Sequence, residues 1–323
     1  MDFKFLDSIL KYIPHIKKPD KPPTFRDKLK WTAAIMTVYF VLFSTPAFGV
    51  NLSTLATPEL QLINIIFAAR TGTLITVGIG PIVLSSIILQ LLQGASLLKI
   101  DLNDPEQKGR FQTIQKSVAI IIAVVEAVLF SATGYVPLVA PQFFGIVAMQ
   151  LAISAIIVIY LDEMMVKYGL TSGINLFIAG GVSYSLVSGT ANILIPEAAS
   201  AITAGGASAL PNAILAFAPL FFSVLVMLIS IYAYDIKVEL PLAFSQFRRD
   251  PRIIESILNK YIPTITVLGS IFVALLAAMA TLTGAVGTGM GILLTVGIMY
   301  MLYQQLEREN MLEGYPQLDR LLS

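Results

Sequence analysis

Apolar residues fall along this chain in blocks long enough to cross a bilayer, at about 32–49, 74–93, 117–135, 138–161, 170–189, 213–234, 262–283 and 286–303. The pattern predicts an all-α polytopic membrane protein with eight crossings. The second block is unusual. Thr71–Gly94 carries Gly78, Gly80 and Pro81 near its start and Ser85, Ser86 and Gln90 within it. Gly and Pro at membrane depth free backbone groups that only neighbouring helices, side chains or enclosed water can satisfy. This element is therefore expected to border a cavity inside a bundle, as the wall of a pore. The stretch ahead of it, 57–70, is too short and too polar to span and is read as a re-entrant element held within protein.

Charge orients the blocks. Lys4, Lys11, Lys17, Lys18, Lys21, Arg26, Lys28 and Lys30 lie before the first one. With that end inside, Lys99, Lys108, Arg110, Lys116, Lys167, Lys237, Arg248, Arg249, Arg252, Lys260, Arg308 and Arg320 also fall on the cytoplasmic side, and only Arg70 falls outside. Both termini are thus expected in the cytoplasm. Within residues 1–31, Phe3, Phe5, Leu6, Ile9, Leu10 and Ile13 recur at near-helical spacing, which fits a short helix on the membrane surface; a solvated basic tail is the alternative. No apolar run of signal-peptide length follows a short basic start, so no cleavage is expected. The outer loop Gly189–Pro211, rich in Ala, Gly and Ser, is expected to be loosely ordered.

Composition agrees with the pattern: 56% of residues are hydrophobic, 13% are charged, and the mean hydropathy is +0.80. With no cysteine and one histidine, His15, thiolate chemistry is excluded and histidine-based metal sites nearly so. No phosphate loop, zinc-protease motif or activated nucleophile is visible, so neither an enzyme nor a cofactor site is expected. Gly284, Gly287, Gly289 and Gly291 suit close helix packing at a tight turn. Asn51-Leu52-Ser53 matches the glycosylation triplet, a weak signal.

Glu126 lies near the middle of the third block, where an ionised carboxylate costs roughly 2.5 kcal/mol or more. It should face the bundle interior, either as a polar contact on a moving helix interface or as a static interhelical bond. Asp162 and Glu163, beside Lys167, are read as a solvated cluster at a cytoplasmic helix end. Ile79 and Val83 are four apart, as are Ile174 and Ile178, so each pair shares a helical face. Spacing alone makes these ordinary core positions.

RTGTLITVGIGPIV with QLL (Arg70–Leu92), IYLDEMMVKYGLTSGINLFIAGGVS (Ile159–Ser183), KVELPLA (Lys237–Ala243), KYIPTITVLGS (Lys260–Ser270) and GILLTVGIMYMLYQQL (Gly291–Leu306) closely resemble SecY, the central subunit of the Sec protein-conducting channel, in its archaeal form. The resemblance implies an inverted-repeat helical bundle around an hourglass pore, through which unfolded secretory chains cross and membrane helices exit sideways. It places the family's plug helix on Leu60, Leu62, Ile63, Ile65, Ile66, Phe67 and Arg70. The pore ring falls on Ile79, Val83, Ile174, Ile178 and Leu294, and an aliphatic ring can deform around a passing chain without holding it. The lateral gate falls on Ser85, Gln90 and Glu126; where relatives often carry a hydroxyl, Leu84 stands here beside Ser85. Arg248, Arg249, Arg252 and Lys260 would face the ribosome.

The implied partners are two small single-span subunits (SecE-like, or gamma, and beta-like), the ribosome, signal sequences, nascent polypeptides and membrane lipid, in the plasma membrane.

SecY-like proteins have ten spans in two inverted halves. Here the chain passes from Lys237–Arg248 within about a dozen residues to DPRIIESILNKYIP, which resembles the approach to the family's ninth span. On the order of a hundred residues are absent, enough for spans seven and eight with their loops. The chain then divides into a basic segment (1–31), the first half plus span six (32–234), a shortened basic loop (235–261), the last two spans (262–303) and a cytoplasmic tail (304–323). A reduced relative that binds partners without conducting is the alternative function. A small-solute transporter would need polar residues converging at mid-membrane, where Glu126 is nearly alone.

Overall fold

The computed structural model describes residues 14, 16, 17, 19, 23–51, 64–95, 97, 105–191, 195–204, 209–235, 267, 269–279 and 289–314. Among these the chain is helical, with only two isolated antiparallel bridges, Pro46 to Thr73 and Val50 to Leu138. The helices are α1 (Phe25–Ser44), α2 (Gly80–Gly94), α3 (Pro105–Ala132), α4 (Phe144–Tyr168), α5 (Gly173–Gly189), α6 (Ile195–Ala204), α7 (Ala209–Ala216), α8 (Ala218–Asp235), α9 (Gly269–Met279) and α10 (Gly289–Gly314).

Local chemistry sets their ends. Thr24 caps α1: its hydroxyl accepts from the Asp27 amide at 3.4 Å, satisfying one donor of the first turn, and donates to Asp27 Oδ2 at 2.7 Å. That hydroxyl holds the exposed Asp27 carboxyl below its ordinary pKa. Pro141 opens a 3₁₀ turn into α4, where a missing N–H costs nothing, and Gly169 ends α4.

Among the described residues, two stretches, Gly109–Ala132 and Pro141–Tyr168, are long and apolar enough to cross a membrane; Gly80–Gly94, Gly173–Gly189, Ala218–Tyr232 and Gly269–Met279 are shorter apolar helices. Around α3 the usual pattern of a soluble protein is inverted. Ala119, Ala123 and Ala127 are buried, whereas Ile121, Val124, Val125, Val128 and Leu129 are exposed. Small residues face protein and large aliphatic ones face outward, as lipid requires.

The chain forms two compact units. In the first, Met1–Gly181 with Gln305–Ser323, α3 packs between α2 and α4, and α1 lies on α4. Leu89, Phe111 and Ile114 form one core there, with Leu92 and Val118 against it. The second is Val182–Gln304, where Val226 of α8 packs with Ile292 and Val296 of α10. The Ser223 and Ser230 hydroxyls donate to the carbonyls of Pro219 and Val226 one turn back, which satisfies them inside an apolar helix.

Two expectations are corrected. The outer stretch 189–211 is not loose, for α6 forms within it and packs against α7. Likewise the sixth apolar block is not one helix: it breaks at Phe217 into α7 and α8. Pro219 cannot donate to the carbonyl four residues back and its ring crowds that turn, so the helix restarts with Pro219 in its first turn.

Candidate functional site

The second apolar block does not form one helix either. Its helix begins at Gly80 and runs 15 residues, about 22 Å at 1.5 Å per residue, against roughly 30 Å of hydrocarbon. The remaining depth is covered by a buried irregular segment, 71–79, whose backbone is satisfied from within. Leu74 N–H donates to the Thr45 carbonyl and Ala47 N–H to the Gly72 carbonyl, both at 3.0 Å. The Thr73 hydroxyl donates to the Arg70 carbonyl at 2.8 Å, and the Thr76 hydroxyl donates to the Thr73 carbonyl at 2.6 Å while accepting from Gly72 N–H. Three buried threonines, Thr71, Thr73 and Thr76, thus do what regular helix would otherwise do.

Onto this segment folds the stretch that precedes it. Residues 64–66 make one helical turn, and Ala69 N–H closes on the Asn64 carbonyl at 2.7 Å. The Thr71 hydroxyl donates to Asn64 Oδ1 at 2.9 Å. Ala68 sits at φ +47°, a left-handed conformation that costs an L-residue roughly 1–2 kcal/mol. The Arg70 guanidinium lies 5.8 Å above the Phe43 ring. Ile65 is buried and Ile66 exposed; Leu60, Leu62 and Ile63 lie outside the described residues.

The stretch 64–70 and the start of α2 meet at Gly78–Gly80. Ile79, wholly buried, donates its N–H to the Phe67 carbonyl at 2.8 Å. Gly78 adopts φ +60°, and a Cβ there would fall inside the van der Waals shell of the Phe67 carbonyl oxygen. Only glycine fits. At Gly80 a Cβ would stand 3.5 Å from Phe67 Cδ1 and 3.2 Å from Glu126 Oε2. Glu126, half-buried on α3, therefore places its carboxylate at the first turn of α2, the positive end of that helix's dipole.

Val83 N–H donates to the Ile79 carbonyl at 3.1 Å, so these two stand one turn apart although Ile79 precedes the helix. Ile174 and Ile178 are half-buried on α5, and Leu294, on α10, belongs to the second unit. Ser85 is fully buried and its hydroxyl donates to the Ile82 carbonyl, while Gln90 is exposed and donates to the Ser86 hydroxyl. Among the described residues Ser85, Gln90 and Glu126 make no hydrogen bond to one another. Arg248, Arg249, Arg252 and Lys260 lie outside the described residues.

The acidic pair at the end of α4 is not a solvated cluster. Asp162 accepts from Ile174 N–H at 3.1 Å, so it caps the first turn of α5. Glu163 bridges Lys116 at 2.5 Å and Lys167 at 2.7 Å, and Lys116 also lies 3.9 Å above the Tyr160 ring. These side chains hold the N-terminal segment by its main chain. Lys116 donates to the Pro14 carbonyl, Lys167 to the Ile16 carbonyl and Tyr168 to the Lys17 carbonyl, while Ile16 N–H donates to Glu163.

One residue at the site escaped the sequence pattern. Tyr39, wholly buried on α1, donates its hydroxyl to the carbonyls of Ala68 at 2.8 Å and Phe177 at 3.2 Å. A tyrosine amid an apolar run is itself the signal, because a buried phenol needs a partner.

Comparison with known proteins gives this arrangement a context. The SecY family model matches residues 73–250 and 243–303. The chain is 30% identical to the protein translocase subunit SecY of Methanocaldococcus jannaschii, over 99% of this chain and all of that one. It superposes on canine Sec61, solved in a ribosome-channel complex from the endoplasmic reticulum, with a TM-score of 0.78 and 30% identity, covering 97% and 99% of the two chains. A second similar structure, at TM-score 0.75 and 29% identity over 97% and 99% of the chains, is a SecY in which the plug domain stabilises the closed channel and maintains a membrane seal. The alignment to the Methanocaldococcus protein runs over 444 residues against 323 here, so that relative carries a long stretch with no counterpart. The two family-model matches meet at 243–250, close to the join that the sequence reading places after Arg248.

Proposed function

The chain belongs to the SecY family, and from that membership we propose that it is the pore-forming subunit of a Sec translocon, passing unfolded polypeptides across a membrane and apolar segments into it. The observation that carries this reading is the seating of 64–70 on Gly78–Gly80. A short segment, with Ile65, Ala68 and Ala69 buried, closes through its own backbone on the start of the helix that lines the pore. In this account 57–70 is the plug, and Ile79, Val83, Ile174, Ile178 and Leu294 form the constriction it seals. An aliphatic ring excludes water and ions at rest and has no polar group to hold a passing chain. Glu126, on α3 beside the first turn of α2, belongs with Ser85 and Gln90 to the side of the lateral gate that the second and third spans form.

The protein is a membrane protein whose relatives are channel subunits rather than enzymes. Its N- and C-termini face the cytoplasm by the positive-inside pattern, and its partners are the ribosome and two small single-span subunits. The residual basic loop, Arg248, Arg249, Arg252 and Lys260, is the ribosome-facing surface.

The stretch missing near 243–250 supports a second reading, a reduced relative that keeps partner contacts without conducting. Reconstitution with the small subunits, followed by protease protection of a secretory precursor inside vesicles, separates the two. Protection comparable to a full-length relative establishes the channel. Ribosome binding without protection selects the reduced form.

A further inference from the structure

We propose that the Tyr39 hydroxyl is the latch of the plug: a single buried proton, shared between the plug and the fifth span, sets how readily the plug leaves. The inference rests on the reading of 57–70 as the plug.

The geometry is specific. Tyr39, Ala68 and Phe177 are each at most 1% exposed, so no solvent is at hand to replace the phenol. Its oxygen lies 2.8 Å from the Ala68 carbonyl and 3.2 Å from the Phe177 carbonyl. One hydroxyl proton therefore serves two acceptors, and the shorter bond is the one to the plug. The ring is held independently of the hydroxyl. It stacks on Phe177 with centroids 4.5 Å apart and planes 12° from parallel, and the rings of Phe40 and Phe43 flank it. The stack is an α1–α5 contact, so the ring stays with the bundle whatever the plug does.

Ala68 is the complementary half. At φ +47° it holds a conformation that an alanine leaves unless its surroundings enforce it. Its carbonyl is buried there, and the Tyr39 hydroxyl meets it. The neighbouring Phe67 carbonyl is fixed by Ile79 N–H, so successive carbonyls of the plug are gripped by α1 on one side and by the start of α2 on the other. The grip on Phe67 is main chain and cannot be tuned by side-chain choice. The grip on Ala68 hangs on one removable oxygen. Tyr39 is therefore a positioning residue for gating, and it lets any movement of α1 or α5 away from the plug be felt as loss of one hydrogen bond.

The test uses the full chain in proteoliposomes. Because the protein has no cysteine, Ile65→Cys places a single thiol in the plug, and a membrane-impermeant maleimide reports how often the plug opens. Tyr39→Phe keeps the ring and its stack and removes only the oxygen. The expected result is labelling of Ile65→Cys faster by roughly fivefold to tenfold in the Tyr39→Phe background, the scale of one lost hydrogen bond. Resting ion conductance should rise with it while the thermal midpoint stays close to that of the parent. Unchanged labelling overturns the latch. A variant lacking residues 58–67 separates the two layers of inference. If that variant fails to conduct, the channel reading falls, while the labelling comparison still decides whether Tyr39 holds this segment.

Discussion

The Phe67 carbonyl oxygen accepts a 2.8 Å hydrogen bond from the amide of Ile79, and this bond ties the segment 64–70 to the residue that caps α2. Gly78, just before Ile79, makes the approach possible, since its φ of +60° and its missing side chain let the two backbones touch. Gly78→Ala should therefore cost about 2–3 kcal/mol, from left-handed strain added to an unavoidable clash with backbone. Thermal melting in detergent measures the loss, and raised labelling of an Ile65→Cys thiol should accompany it.

Gly80 offers a graded comparison. Its added Cβ would meet the far end of Glu126 at 3.2 Å, a flexible carboxylate that can give way. Gly80→Ala is expected to cost less than about 1 kcal/mol, offset in part by alanine's better helix propensity. Adding Glu126→Ala should remove the remaining penalty, so a double-mutant cycle should return a coupling between these two positions.

At the cytoplasmic ends of α3 and α4, Glu163→Gln leaves Lys116 and Lys167 without their shared counter-charge while keeping the side-chain shape. The side chains of the three are 17%, 8% and 18% exposed respectively, so the loss should reach about 2 kcal/mol, and it should release the segment that these residues hold by its main chain. Trypsin should then cut faster after Lys17. The exposed Asp27–Lys30 pair is the contrast: Lys30→Ala should change stability by less than about 0.5 kcal/mol.

Asp162→Ala removes the carboxylate that meets Ile174 N–H at 3.1 Å. Loss of a cap of this kind costs about 1–2 kcal/mol. Asp162→Asn, which can still accept that bond, should lose less. Thermal melts of the two variants give the order, and because α5 carries Ile174 and Ile178, hydrogen exchange should rise first at its N-terminal turn.

Much of the fold was legible because lipid imposes a coarse rule. A helix facing hydrocarbon must be apolar for some twenty residues, so the blocks stand out without any knowledge of their neighbours. The same rule exposed Glu126 and the Gly78–Pro81 break as exceptions needing an explanation. It misjudged cases decided by particular backbone bonds. Pro219 splits the sixth block, and Thr71–Ile79 stays irregular because Thr73, Thr76 and the chain after α1 satisfy its amides and carbonyls. Hydropathy cannot distinguish such a buried loop from a helix.

Asp162 and Glu163 illustrate the remaining gap. In sequence they are two acids near a lysine at a helix end, which describes many solvated surfaces. One proves to cap a helix and the other to hold a distant segment, because the Ile174 amide and the lysine from α3 are brought to them by packing.

By itself, then, the sequence determined that this is a helical membrane protein, which follows from composition along a line, and that it belongs to the SecY family, which follows from the ordered motifs it shares with that family. Only the tertiary structure decided what closes on what. Whether the Phe67 carbonyl reaches Ile79, whether Tyr39 finds Ala68 and whether Glu126 faces Gly80 depend on distances between segments far apart in the chain, and no local periodicity encodes them.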